Sequence, residues 1–166
     1  MIRTTVSVLA VLSLFAVACN NKQAKEPVST VPVMSAMVPN VHVDDDIARI
    51  CKIQFDDVKR APKFDYDQAD LLLEDRDVLE QVAKCMTRGP LAGRHVSLVG
   101  RADPRGEAEY NMALGDHRAD AVSGYLSHFG VPSAVLVQTS RGELDATGTD
   151  DDTWRLDRRV DLVLVK

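Results

Sequence analysis

At 166 residues, with 45% hydrophobic and only 5% aromatic residues, the chain can bury one ordinary core and has no room for two substantial domains. A net charge of -5 and an isoelectric point near 5.3 argue against a nucleic-acid surface, which shows clustered excess Lys and Arg. One domain on a tether is the expectation, and membrane contact must come from something other than a cationic face.

Arg3 precedes an apolar run from Val6 to Val17, too short to span a bilayer but the right length for the core of a signal peptide. The run closes on Phe15-Ala16-Val17-Ala18-Cys19, which resembles the bacterial lipobox, although Ala16 stands where Leu is commoner. The resemblance implies that residues 1–18 are a signal peptide and that Cys19 becomes the lipidated N-terminus. The alternative is an ordinary secretory signal in which Cys19 is incidental. Several acyl chains anchor stably, since each buried CH₂ contributes ~0.8 kcal/mol and one chain alone is marginal. Asn20 follows Cys19; the bacterial sorting rule, in which Asp at this place favours the inner membrane, then points to the outer one.

Residues 19–43 mix polar residues with Pro27, Pro32 and Pro39 and carry no sustained period, which reads as a flexible tether with a reach of ~25–30 Å. Its Val31, Val33, Met34, Met37 and Val38 leave a minor docking role open. The domain is assigned to residues 44–166, with its core at about 62–166. Asp44-Asp45-Asp46 ahead of Ile47 reads as the N-cap and acidic first turn of a short helix, and Asp150-Asp151-Asp152 as the same device before Trp154. Neither run has the glycine hinge and distal Glu of a calcium loop, so no metal is expected.

Lys63-Phe64-Asp65-Tyr66-Asp67 alternates apolar and acidic residues, predicting the first strand. Leu71, Val78, Leu79, Val82 and Met86 repeat at helical spacing up to the Arg88-Gly89-Pro90 stop. A second strand follows at Val96–Gly100 and delivers Asp103 to the Pro104-Arg105-Gly106 turn. Then come a helix over Asn111–Phe129, a third strand over Val135–Thr139, a polar loop from Ser140, and a last strand through Val160, Leu162 and Leu164. The order β-α-β-α-β-β, with a helical turn between the last two strands, predicts an α+β fold of two layers, helices packed on a mixed four-stranded sheet.

On a helical projection Leu114, Ala121, Val122, Tyr125 and Phe129 share one face roughly 100° wide, and Arg118 falls in its middle. A guanidinium there needs an anion, and Asp103 is the nearest candidate. The pair is either a structural salt bridge or a site. His42, His95, His117 and His128 have no metal-ligand spacing and no adjacent nucleophile, and Glu107 and Glu109 suit the first turn of a helix. Nothing in this pattern calls for a catalytic centre or a cofactor.

The segments GRADPRG, EYN and LGDHRADAV within Gly100–Val122 resemble the OmpA-like C-terminal domain family, in its peptidoglycan-associated lipoprotein (Pal) type. The likeness extends over roughly residues 62–166, from KFDYDQADL to WRLDRRVDLVLV, with Arg101 where the family has His and Asp157 where it has Asn. It implies the same two-layer architecture and a non-catalytic outer-membrane lipoprotein, facing the periplasm, that binds peptidoglycan. Asp103 and Arg118 resemble the residues that hold diaminopimelate of the stem peptide, and Asn111, Asp67, Arg158 and Arg159 resemble secondary contacts. The two departures sit near the expected site, where they bear on its fine polarity and leave its framework. A Tol-Pal type module with a TolB-like or other envelope protein as its main partner is one alternative, and a wall-remodelling hydrolase is another. In an oxidising periplasm, the two cysteines left after lipidation, Cys51 and Cys85, are expected to form a disulfide. A pair of buried reduced thiols is the competing reading.

Overall fold

The computed structural model describes residues 41–54 and 64–166. The signal peptide, Cys19 and residues 20–40 of the tether lie outside the described residues, as does Lys63.

Strand β1 (Val41–Val43) leads into helix α1 (Asp45–Cys51), and helix α2 (Leu73–Arg88) precedes strand β2 (Val96–Arg101). Helix α3 (Ala108–His128) and a 3-10 turn at Ser133–Val135 lead to strand β3 (Leu136–Gly142). Helix α4 (Asp151–Asp157) and strand β4 (Val160–Leu164) complete the chain. The sheet order is β1-β4-β2-β3, with β1 parallel to β4, β2 parallel to β3, and β2 antiparallel to β4. This is the expected α+β class, a mixed four-stranded sheet carrying helices.

The first strand is not where alternation placed it. Val41–Val43, assigned to the tether, pairs with Val160–Leu162, whereas residues 64–67 form a coil and a turn. Asp67 takes a left-handed φ of 59°, which a short polar side chain tolerates at a turn. Phe64 is buried and held by Arg158: its N–H donates to the Arg158 carbonyl at 3.0 Å and its own carbonyl accepts from Arg158 Nε at 2.6 Å.

Capping follows the sequence closely. Asp44 accepts from the Ile47 N–H at 2.7 Å, and its other oxygen accepts from the Leu164 N–H at 2.9 Å, fastening the start of α1 to β4. Asp150 accepts from the Thr153 N–H at 2.9 Å. Strand β3 runs to Gly142, beyond the expected end at Thr139, because Ser140 and Gly142 still pair with Gly100 and Arg101 across a bulge.

Ile47, Phe64, Leu79, Val82, Leu98, Val122, Leu126 and Leu162 are wholly buried and form the core between sheet and helices. Cys51 and Cys85 are disulfide-bonded with Cα atoms 5.6 Å apart, joining the end of α1 to α2. Beside the bridge, Gln81 and the backbone of Gln54 exchange two hydrogen bonds, at 2.9 and 3.2 Å.

Helix α3 is set by two glycines. A Cβ on Gly100 would lie 1.7 Å from the Gly115 carbonyl oxygen, so helix backbone rests directly on strand backbone. This close seat turns the helix by roughly 70° from the projected apolar face. The buried residues are Asn111, Gly115, Arg118, Ala119, Val122, Ser123 and Leu126, while Phe129 is exposed. Arg118 therefore stands at the border of the core, where the helix faces the end of β2 and the 64–68 turn.

Candidate binding cleft

The end of β2, the turn after it, the first turns of α3, the 66–67 turn and Arg158 enclose a cleft of about 310 Å³. Arg118 forms part of its floor. Its Nε donates to the Gln68 carbonyl at 2.8 Å, Nη1 to the Arg101 carbonyl at 2.8 Å, and Nη2 to the Asp65 carbonyl at 3.2 Å. The Phe64 ring lies 5.0 Å below the guanidinium carbon. Burial, helped by the like charge of Arg158 and opposed by Asp103 and Asp67, pushes the Arg118 pKa down to about 10, so it stays cationic at neutral pH. Among the described residues, three of its five N–H groups find acceptors, which leaves one on each terminal nitrogen.

Asp103 does not pair with Arg118 directly. Its Oδ2 accepts from Arg158 Nη1 at 3.0 Å and Arg105 Nη2 at 2.8 Å, and its Oδ1 from Arg105 Nε at 3.0 Å and the Arg105 backbone N–H at 3.2 Å. The expected Asp103–Arg118 bridge is thus replaced by two others, because main-chain carbonyls satisfy Arg118 and free the carboxylate for Arg105 and Arg158. Burial alone raises the Asp103 pKa, but hydrogen bonds from Arg105 and Arg158 outweigh it and hold the carboxyl below its usual range.

Asn111 is buried, with Nδ2 3.2 Å from the Asp103 carbonyl, 3.0 Å from the Arg105 carbonyl and 2.5 Å from Glu143 Oε2. It ties the 103–106 turn to α3. Asp67, at the rim, accepts from the Tyr110 hydroxyl, and this bond is the main reason the Tyr110 phenol titrates above its ordinary value.

Of the residues singled out in the sequence, Asp103, Arg118, Asn111, Asp67 and Arg158 line this cleft. Arg159 does not: its Nε donates to Asp161 at 2.8 Å and Nη1 to the Leu156 carbonyl at 2.6 Å. Successive side chains entering a strand alternate in direction, so Arg158 and its neighbour cannot share one site. The two departures from the family pattern also lie off the cleft. Arg101 bonds to Asp161 and Asp145. Asp157 accepts from the Thr147 and Gly148 N–H groups at 3.0 and 2.9 Å, one on each oxygen, a task for which a carboxylate has one more acceptor than an amide. Sequence reasoning assigned no site role to Tyr66, Arg105 or Tyr110, which also line the cleft. The signal for Arg105 was its place two residues after Asp103 in the same turn.

The cleft thus places a buried carboxylate, Asp103, beside the buried guanidiniums of Arg118 and Arg158 at the end of an inner strand. The chain belongs to the OmpA family, which residues 63–159 match. Among similar proteins is the peptidoglycan-associated lipoprotein of Pseudomonas putida, 45% identical over 101 residues, 60% of this chain and 59% of the relative. That of Haemophilus influenzae is 38% identical over 99 residues, covering 58% and 63% of the two chains. The matched region therefore spans about three fifths of the length of these relatives. The crystal structure of the peptidoglycan-associated lipoprotein from Burkholderia pseudomallei superposes with a TM-score of 0.58 at 37% identity, over 62% of this chain and 87% of that one. An OmpA-like domain from Francisella tularensis shares the fold, with a TM-score of 0.53 at 22% identity, over 63% and 73% of the chains. Among the described residues no helix is long and apolar enough to cross a membrane.

Proposed function

We propose that this protein is a non-catalytic lipoprotein of the outer membrane that grips diaminopimelate-type peptidoglycan noncovalently and so ties membrane to wall. The observation that carries the reading is the floor of the cleft, where Asp103 and the two guanidiniums Arg118 and Arg158 lie side by side. The free end of diaminopimelate is a zwitterion. Its ammonium suits a carboxylate acceptor, and its carboxylate suits the spare N–H groups of a guanidinium. The names of the relatives, which speak of peptidoglycan association and of lipoproteins, support the same assignment, and lipidation at Cys19 supplies the anchor. A grip without chemistry also fits the electrostatics, because a carboxyl held deprotonated by arginines is a weak general base and a poor proton donor at neutral pH.

The test is retention on purified diaminopimelate-type sacculi, with the supernatant assayed for soluble muropeptides. The protein is expected to be retained and to release nothing, and Asp103→Ala to wash off while still showing a cooperative melt. Release of muropeptides, or undiminished retention of a folded Asp103→Ala variant, contradicts the proposal.

A further inference from the structure

We infer that Arg105 is a built-in competitor for the ligand's ammonium at Asp103 and thereby sets which ligands the cleft accepts; the inference rests on the diaminopimelate reading above. The groups that a zwitterion would touch are almost wholly buried: Asp103 is 3% exposed, Arg118 0% and Arg158 7%. A carboxylate has about four acceptor positions, and on Asp103 four N–H donors already occupy them, three from Arg105 and one from Arg158. No ammonium can bind there until a donor leaves.

Arg158 is the fixed member of the pair. Its Nε is held by the Phe64 carbonyl, and its own carbonyl accepts from the Phe64 N–H. Arg105 is the movable one, with a side chain 30% exposed at the mouth of the cleft. It also has somewhere to go. Its guanidinium carbon lies 4.1 Å from the centre of the Tyr66 ring and 4.5 Å from that of Trp154, and Nη1 is 3.3 Å from Asp151, which is exposed. A guanidinium released from Asp103 therefore keeps two aromatic faces and a second carboxylate, so the swing forfeits only part of its interactions. An incoming ammonium replaces one cation on Asp103 by another, so the carboxylate keeps a cationic partner in place of Arg105. A ligand without a cation at this place has nothing to exchange for the guanidinium on Asp103, so it leaves Arg105 in position and forgoes that contact.

The experiment uses the full-length protein and two probes: the tripeptide L-Ala-D-Glu-meso-diaminopimelate and the same peptide with the diaminopimelate side-chain amino group acetylated. Titration calorimetry compares the unmodified chain with Arg105→Ala and Arg105→Gln, each checked by thermal melt. If Arg105 closes the site ~80–90% of the time, removing it tightens tripeptide binding about five- to tenfold, while the acetylated peptide, which cannot use Asp103, gains nothing. Unchanged or weaker binding by a folded variant, or an equal gain for both peptides, overturns the inference and leaves the wall-binding reading intact. Binding of the tripeptide by none of the three proteins overturns both. An independent readout on the unmodified chain is the Arg105 Nε–H resonance in a tripeptide titration. It must move as the site fills, and a resonance that stays in place at saturation contradicts displacement even if the variants do not fold.

Discussion

Arg118→Lys separates geometry from charge. A charge-based account of the cleft expects little change, since lysine remains cationic and nearly as long. The structure gives a different answer, because the guanidinium spans three carbonyls from two segments, Asp65 and Gln68 in the turn and Arg101 at the end of β2. An ammonium presents its donors from one point and can reach at best one of the two sides. Losing two bonds from a charged donor at ~1.5–3 kcal/mol each, partly offset by relaxation of the exposed turn, puts the loss at about 3–5 kcal/mol. For a domain of this size each kcal/mol lowers the melting temperature by about 4 °C, so a drop of roughly 12–20 °C is expected in thermal unfolding followed by circular dichroism. The 64–68 turn should also become the first site of limited proteolysis, because its anchors on Arg118 are gone. A variant that melts within about 4 °C of the unmodified chain and keeps the turn protected would refute the assignment of Arg118 as the brace of the cleft.

Three further outcomes follow. Cys51→Ser with Cys85→Ser opens a loop with a sequence separation of 34 and should cost ~3–4 kcal/mol in the chain-entropy picture; denaturant unfolding is the measurement, and sacculus retention at 25 °C should be unaffected. Gly100→Ala puts a methyl 1.7 Å from the Gly115 carbonyl oxygen, which forces backbone apart and should destabilise by ~3 kcal/mol or more while displacing Arg118, so melting temperature and retention should fall together. Asp103 has a folded pKa below its unfolded value, so its contribution is present above about pH 4 and is lost as the pH falls through the folded pKa. Asp103→Asn should therefore melt below the unmodified protein at pH 7 and converge with it in acid, and parallel curves across the whole pH range would contradict the linkage.

Much of this arrangement was legible in the residues, and the failures have physical causes. Asp44 and Asp150 were readable as caps because a cap is made within three residues of chain. The α2 period was readable because that helix buries one apolar stripe, whereas α3 was legible as a helix but buries a face roughly 70° from the projected one, small and polar residues included. Strand β1 was not: three residues in a Pro-containing stretch form a strand only because β4, more than a hundred residues later, supplies the partner. KFDYD copied the period of a strand, but Phe64 is anchored by Arg158 and Asp67 turns the chain. Arg118 was found from its position on the helix, whereas its partners were misassigned because sequence reasoning looks for carboxylates and cannot see main-chain carbonyls converging from two loops. Arg105 was missed although it stands two residues after Asp103, because a cation in a turn reads by default as solvated, whereas this one folds back onto the carboxylate.

In the proposed function the cleft holds the zwitterionic end of diaminopimelate through Asp103 and its neighbouring arginines. Calorimetric titration of the full-length protein compares two free tripeptides that differ only there, one ending in meso-diaminopimelate and the other in lysine, which keeps the side-chain ammonium and lacks the side-chain carboxylate beside it. Removing the carboxylate leaves desolvated guanidinium N–H groups unpaired, so the lysine peptide should bind at least ~30-fold more weakly. Equal affinity for the two peptides would contradict the account.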